Sequence, residues 1–129
     1  MQSHYEIAHR QYVVLAVSAL DDKYVQVTPA LDFLREMARA GTYSGHAVGF
    51  KKLFERYADM GRNGLTAEIF HEVDKENSIW EFVKGPLRVF CFVDGNKVIL
   101  THGAIKKTQK VDRQEVGRAV GMRNSYFGK

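Results

Sequence analysis

Three apolar segments rich in β-branched residues follow one another closely in the second half of the chain, and only short turns separate them. The segments are 79–83, 87–93 and 97–102, and the turns are 84–86 and 94–96. The second turn begins with Asp-Gly, which between two such segments is a strong hairpin signal. The pattern predicts a three-stranded antiparallel meander.

Two amphipathic helices are predicted ahead of the meander. Thr28 suits an N-cap, Pro29 suits the first helical position, and Gly41 ends the first helix. The predicted buried stripe of that helix is Leu31, Leu34, Met37 and Ala38. A second helix, ending at Gly61, repeats apolar residues at the spacing of one helix face. That face comprises Phe50, Leu53, Phe54, Tyr57 and Ala58. Helices joined by so short a loop are expected to form an antiparallel hairpin.

Four further elements complete the prediction. Residues 12–17 are β-branched and apolar and predict a strand, and residues 24–27 predict a short partner strand. Residues 69–73 can extend the meander. Asp112 and Glu115 have capping-box spacing and begin a last helix. Its apolar stripe is Val116, Ala119 and Val120.

Length and composition predict one globular domain spanning residues 1–129. A hydrophobic content of 45% is enough to bury a core. No apolar run approaches the roughly 20 residues that cross a bilayer, so no membrane association is expected. No signal peptide is expected at the N-terminus. A single cysteine cannot form an internal disulfide, and these features together predict a cytoplasmic protein.

Positive charge is concentrated in the last third of the chain. Residues 84–129 hold ten Lys or Arg and three Asp or Glu, whereas residues 1–83 hold nine and twelve. The densest cluster is KKTQK at 106–110, hereafter the basic segment. This asymmetry indicates a surface that binds a polyanion such as nucleic acid. The alternative is an exposed loop that serves only solubility.

Arg88 interrupts an apolar strand and is a second candidate for anion binding. Because strand side chains alternate, Arg88 shares a face with Phe90 and Phe92. It is expected either to pair with Glu81 across the hairpin or to clamp a phosphate with its planar guanidinium. The residues alone leave both open.

Other kinds of chemistry find little support in the sequence. The histidines are scattered, without the closely spaced pairs typical of zinc ligands, so neither a metal nor another cofactor is expected. They are His4, His9, His46, His71 and His102. Gly61 to Gly64 lack the GK[ST] ending of a P-loop and indicate a turn. Cys91 lies between two phenylalanines in a strand and is expected to be buried and inert.

Three segments together resemble the phage-related HigB-like branch of the RelE toxin superfamily. They are IWEFV at 79–83, LRVFCF at 87–92 and VILTHGAIKKTQK at 98–110. Members of that branch carry R-V-x-Y/F-x-F, an apolar strand ending in H-G-F, and then K-K-T-x-K. The resemblance covers residues 28–126, while the first 27 residues match poorly. Two departures are the residues at 104–105, where an aromatic is common, and at 111–112, where Thr-Pro is usual.

The resemblance implies a fold and a function. The fold is α/β (α+β), with a helical hairpin packed on a small, mostly antiparallel sheet and a C-terminal helix. The function is the toxin of a type II toxin–antitoxin pair, a metal-independent endoribonuclease that cleaves mRNA on the ribosome. The implied partners are mRNA with the ribosome and an antitoxin of the helix-turn-helix type. The alternative is a catalytically inactive module of the same fold that binds RNA or the antitoxin.

The resemblance also implies roles for individual residues. Arg88 is expected to stabilise the phosphate, and Lys106 and Lys107 to share proton transfer and substrate binding. The expected substrate-binding residues are Lys110, Thr108, His102 and Tyr126. His71, Glu72 and His102 are weaker acid–base candidates. His102 can equally be a structural histidine at a strand end, and Tyr126 can equally pack at the C-terminus.

Overall fold

The computed structural model describes residues 4–39 and 41–128, and within them the predicted α+β class is confirmed. The helices are α1 Pro29–Arg39, α2 Ser44–Met60 and α3 Arg113–Tyr126, with a 3₁₀ turn at Gly61–Gly64 after α2. The strands are β1 Tyr5–His9, β2 Val13–Ala16, β3 Ala19–Leu20, β4 Gln26–Val27, β5 Phe70–Asp74, β6 Ile79–Lys84, β7 Leu87–Asp94 and β8 Lys97–Ile105.

Six of these strands form one sheet in the order β1-β2-β8-β7-β6-β5. Neighbouring strands are antiparallel except β2 and β8, which run parallel. The meander β6–β7–β8 is therefore as predicted, and β5 extends it at one edge. Gly85 and Gly95, in its two turns, have φ values of 57° and 61°, a backbone conformation that glycine adopts at little cost.

The N-terminal segment was the least well predicted. β1 was missed, although it pairs with β2 and so makes the first residues part of the main sheet. The strand predicted at 24–27 is only the two residues of β4, and its partner is β3 rather than the strand at 12–17. The tight connection holds because the Asp21 carboxylate accepts the backbone N–H groups of Lys23 and Val25.

Helices α1 and α2 cover one face of the sheet. All five predicted apolar residues of α2 are buried there, against Phe82, Leu87 and other strand residues. In α1 the prediction was partly wrong, because Ala38 is exposed and Ala30 is buried. Ala30 and Met37 lie seven positions apart, which is two turns of one helix face, whereas Ala38 is rotated toward solvent.

A glycine of β8 determines how closely α1 approaches the sheet. A β-carbon added to Gly103 would lie 2.1 Å from the Phe33 ring. The ring of Phe33 therefore packs directly on the β8 backbone. This contact places the middle of α1 beside the C-terminal end of β8, where the basic segment begins.

Helix α3 packs on the opposite face of the sheet. Its buried residues Val116 and Ala119 contact a second core with Phe90, Phe92 and Ile99. As predicted, Asp112 caps the helix, and its carboxylate accepts the N–H groups of the second and third helical residues. Within the residues that the structure describes, every helix is too short or too polar to cross a lipid bilayer.

Candidate active site

A cleft of about 510 Å³ opens where α1, the β6–β7 hairpin and the connection from β8 to α3 meet. Arg88 and Glu81 of the hairpin line it together with the basic segment. The two elements are joined through the backbone, because the N–H of Lys106 donates to the carbonyl oxygen of Pro86 at 2.7 Å. Strand β8 runs to Ile105, three residues beyond its predicted end, and this extension brings the lysines to the hairpin.

The guanidinium of Arg88 is held by the hairpin in which it lies. Its Nη1 donates to the carbonyl oxygens of Gly85 and Leu87, at 2.7 and 3.0 Å. Its Nε lies 3.6 Å from Oε2 of Glu81 but makes no hydrogen bond within the described residues. The side chain is 15% exposed and lines the cleft. Arg88 therefore both lies beside Glu81 and faces the cleft, although the sequence left these two positions as alternatives.

Glu81 is the most buried charged residue of the cleft, with a side chain only 5% exposed. Its Oε2 also lies 2.7 Å from Nε2 of His71, the residue opposite it on β5. Sequence reasoning treated Glu81 only as a partner for Arg88 and missed its place in the cleft. Strand alternation was the available signal, because it puts positions 79, 81 and 83 on the face that also carries Arg88.

The basic segment lies on the other side of the cleft, which Lys106, Lys107, Thr108 and Lys110 all line. None of these lysines forms an ion pair with any residue that the structure describes. Their ammonium groups are therefore available to an anionic ligand. The segment is anchored at both ends, by the last pair of β8 and by the Asp112 cap of α3.

Carboxylates also line the cleft, and its potential is therefore not uniformly positive. They are Glu36, Glu81, Asp112 and Glu115. Two of them are engaged in the fold, since Asp112 caps α3 and Glu81 bonds His71. The lining therefore combines cations with carboxylates, of which Glu81 is the buried one. This combination suits a ligand that carries a phosphate and a hydroxyl group that must lose its proton.

His102, which was predicted to bind substrate, lies outside the lining of the cleft, although its Nε2 is 3.6 Å from Oε1 of Glu115, which lines it. It is 1% exposed, and its ring stacks on Phe90 with 4.9 Å between centroids. Its Nδ1 lies 3.2 Å from the Thr101 hydroxyl, and its Nε2 has no hydrogen-bond partner in the described chain. Burial, reinforced by the Arg118 charge, lowers the pKa of His102 to about 4. It is a structural histidine beneath α3.

Tyr126, also predicted to bind substrate, likewise lies outside the lining of the cleft. Its hydroxyl donates to Oδ2 of Asp94 at 2.9 Å, and its ring contacts Phe92 and Phe127. Burial and the Asp94 carboxylate raise its pKa. Asp94 is at the opposite end of β7 from Arg88, about 20 Å away at the usual rise of a strand. Tyr126 therefore packs the end of α3, as the alternative interpretation held.

Cys91 and Glu72, the other residues considered from the sequence, lie outside the lining of the cleft. Cys91 is fully buried, and burial, together with the Glu81 charge, raises the pKa of its thiol well above the ordinary value. The expectation of a buried thiol is confirmed. Glu72 lies on β5 outside the cleft lining. In the described ranges 4–39 and 41–128, no three His, Cys, Asp or Glu side chains are grouped as metal ligands would be.

Comparison with known proteins adds one finding. The family described as "Phage derived protein Gp49-like (DUF891)" matches residues 46–123, which is more than half of the chain. The matched region includes most of α2, strands β5 to β8, the basic segment and most of α3. No curated protein is detectably similar to the chain.

Proposed function

Because this chain belongs to the phage-derived Gp49-like family, a RelE-like toxin family associated with toxin–antitoxin systems, we propose that it is a toxin that cleaves mRNA on the ribosome. The family implies an antitoxin partner, for which we propose a helix-turn-helix protein. We further propose that the chain belongs to the HigB-like branch, acts in the cytoplasm where ribosomes are, and forms one toxin domain over residues 1–129. Strands β1 and β2 support the single domain, because they are part of the main sheet.

One observation carries the enzymatic proposal. Arg88, the lysines of the basic segment and the buried carboxylate of Glu81 all line a single cleft. Cleavage of RNA needs these group types, because the 2′-hydroxyl attacks the adjacent phosphorus and must lose its proton. Negative charge then accumulates on the phosphorane, and the leaving 5′-oxygen must gain a proton. This reaction uses the nucleophile of the substrate and does not need a metal.

The positions of the side chains suggest a division of roles. Arg88 and Lys110 stabilise the phosphate, because a guanidinium fork and an exposed ammonium both bind its oxygens. Glu81 accepts the proton of the 2′-hydroxyl. Either Lys106 or Lys107 returns a proton to the 5′-oxygen, while the other binds the neighbouring phosphate. Thr108 adds a hydroxyl at the rim of the cleft. His102 and Tyr126 take no part, because neither lines the cleft.

The test is expression of the chain without an antitoxin, followed by mapping of mRNA 5′ ends. Growth arrest with messages broken within codons is expected. The short message in a purified translation complex should be cleaved when the purified chain is added. A 2′-deoxy nucleotide at the cleaved position should block the reaction, because it removes the nucleophile.

The alternative is the inactive binding module. Mapping of mRNA ends, together with a binding measurement on the purified protein, separates this module from the enzyme. Intact message together with retention of RNA or of the antitoxin on the purified protein would favour that module. Intact message with neither interaction would reject both.

A further inference from the structure

His71 engages both nitrogens of its ring, although it lies outside the lining of the cleft. Nδ1 is 2.8 Å from the carbonyl oxygen of Ala67, and Nε2 is 2.7 Å from Oε2 of Glu81. A carbonyl oxygen only accepts hydrogen bonds, so Nδ1 carries a hydrogen. The backbone of Ala67 thereby fixes the orientation of the ring and keeps a hydrogen on Nδ1, and Nε2 is directed at the carboxylate of Glu81.

Glu81 has no other hydrogen-bond donor among the residues that the structure describes. The Nε of Arg88 lies 3.6 Å away and makes no hydrogen bond, and the Glu81 side chain is 5% exposed. A buried carboxylate without a donor is strongly disfavoured. His71 therefore supplies what burial of this carboxylate requires, while its own side chain, 39% exposed on the edge strand, remains in contact with solvent.

We propose that His71 is a positioning residue that donates Nε2–H to Oε2 of Glu81 and leaves Oε1 as the proton acceptor of the cleft. Oε1 has no hydrogen-bond partner in the described chain, and Glu81 lines the cleft. In the reaction the proton of the 2′-hydroxyl moves to Oε1 and the 2′-oxygen bonds to phosphorus. The bond from phosphorus to the 5′-oxygen breaks, and a lysine ammonium gives that oxygen a proton. The Nε2–H of His71 stays in place throughout.

The kinetic part of this inference rests on the proposed function, whereas the hydrogen bond itself does not. The first experiment therefore uses no substrate. Nitrogen-15 NMR of the full chain is expected to show a hydrogen on Nε2 of His71 as well as on Nδ1. In Glu81→Gln the charge that favours Nε2–H is gone, and only Nδ1 should remain protonated. An Nε2 without hydrogen in the unmodified protein, or an unchanged spectrum in Glu81→Gln, would overturn the proposal.

The second experiment compares two substitutions of His71 whose side-chain amides imitate different ring nitrogens. His71→Gln places an amide N–H near the Nε2 position and can still donate to Glu81. His71→Asn places its amide near Nδ1, so it keeps the Ala67 bond and loses the Glu81 bond. Cleavage should fall about 100-fold in His71→Asn, a typical effect for a positioned acid–base group, and His71→Gln should recover most of it. Equal activity of the two variants, at equal thermal stability, contradicts a positioning role.

The two experiments keep the possible failures distinct. If the chain does not cleave RNA at all, the proposed function fails, and the NMR result still decides whether His71 holds Glu81. If the chain cleaves RNA and the variants behave alike, the enzyme stands and the role of His71 is rejected. RNA binding provides a control, because Arg88 and the lysines are unchanged and both variants should bind RNA as the unmodified chain does.

Discussion

Nε of Arg88 lies 3.6 Å from Oε2 of Glu81, and the two side chains are only 15% and 5% exposed. The pair joins the two strands of the β6–β7 hairpin on the face that α3 leaves open to the cleft. Because Nη1 is occupied by two backbone carbonyl oxygens, the guanidinium is held in one orientation. A cation fixed in this way stabilises developing negative charge without having to reorganise.

Arg88→Lys tests whether this orientation matters in addition to the charge. Lysine keeps the charge but cannot bond Gly85 and Leu87 while also presenting a planar fork to phosphate. Cleavage of mRNA is expected to fall by about 100-fold or more, the effect of removing one oriented donor from a developing oxyanion. Arg113→Lys, at the exposed start of α3, is the matched control and should cleave normally. Full activity in Arg88→Lys would show that the charge alone suffices.

Lys107→Ala should weaken RNA binding and toxicity while leaving the fold unchanged. Lys107 is exposed and forms no ion pair within the described chain, so its removal should change the free energy of unfolding by less than about 0.5 kcal/mol. Each lost phosphate contact lowers the salt slope of single-stranded RNA binding by about 0.7. Lys75→Ala, in the exposed turn between β5 and β6, is the control for charge alone. A Lys107→Ala protein that melts early yet remains toxic would reverse our division between fold and site.

Gly103→Ala should destabilise the fold, because the new methyl group would lie 2.1 Å from the Phe33 ring. Either the ring or helix α1 must move, and overpacking of this kind costs about 1–3 kcal/mol. Urea unfolding measures the effect. Gly117→Ala is the control, since apart from its own helix backbone and chain neighbours no described residue comes within 4 Å of the added β-carbon. Replacing a helical glycine with alanine there should stabilise the protein by about 1 kcal/mol. Similar changes in the unfolding free energy of both variants would mean that the Phe33 contact does not determine how closely α1 approaches the sheet.

The buried histidine His102 predicts a loss of stability in mild acid. Burial lowers the pKa of His102 from 6.5, its ordinary value, to about 4 in the folded chain. As the pH falls, the unfolded chain therefore binds the proton first. The contribution of His102 is therefore complete above pH 6.5 and declines as pH falls toward 4. Over that range it amounts to about 3 kcal/mol. His102→Phe keeps a ring against Phe90 and removes the titration, so the unfolding free energy of the unmodified protein should fall relative to that of His102→Phe as the pH is lowered from 6.5 to 4. A constant difference would contradict the depressed pKa.

Much of the fold was predictable because its signals are local. The turns at 84–86 and 94–96, the α2 face from Phe50 to Ala58 and the Asp112 cap each depend on residues close together in sequence. Strand β1 escaped prediction because its burial pattern is mostly exposed, as expected for an edge strand. Ala38 was misassigned because the sequence did not show which side of α1 the sheet would occupy.

The candidate site divides in the same way. Arg88 and the basic segment could be identified from the sequence, because a cation within an apolar strand and a run of lysines are both local patterns. The contact between Glu81 and His71 could be found only from the pairing of β5 with β6. The positions of His102 and Tyr126 outside the cleft could be found only from where α3 packs on the sheet. These features depend on strand register and on which face a helix covers. Strand register and the face that a helix covers are determined by packing between segments far apart in sequence. Element order, turns and helix caps are determined by residues that are neighbours in sequence.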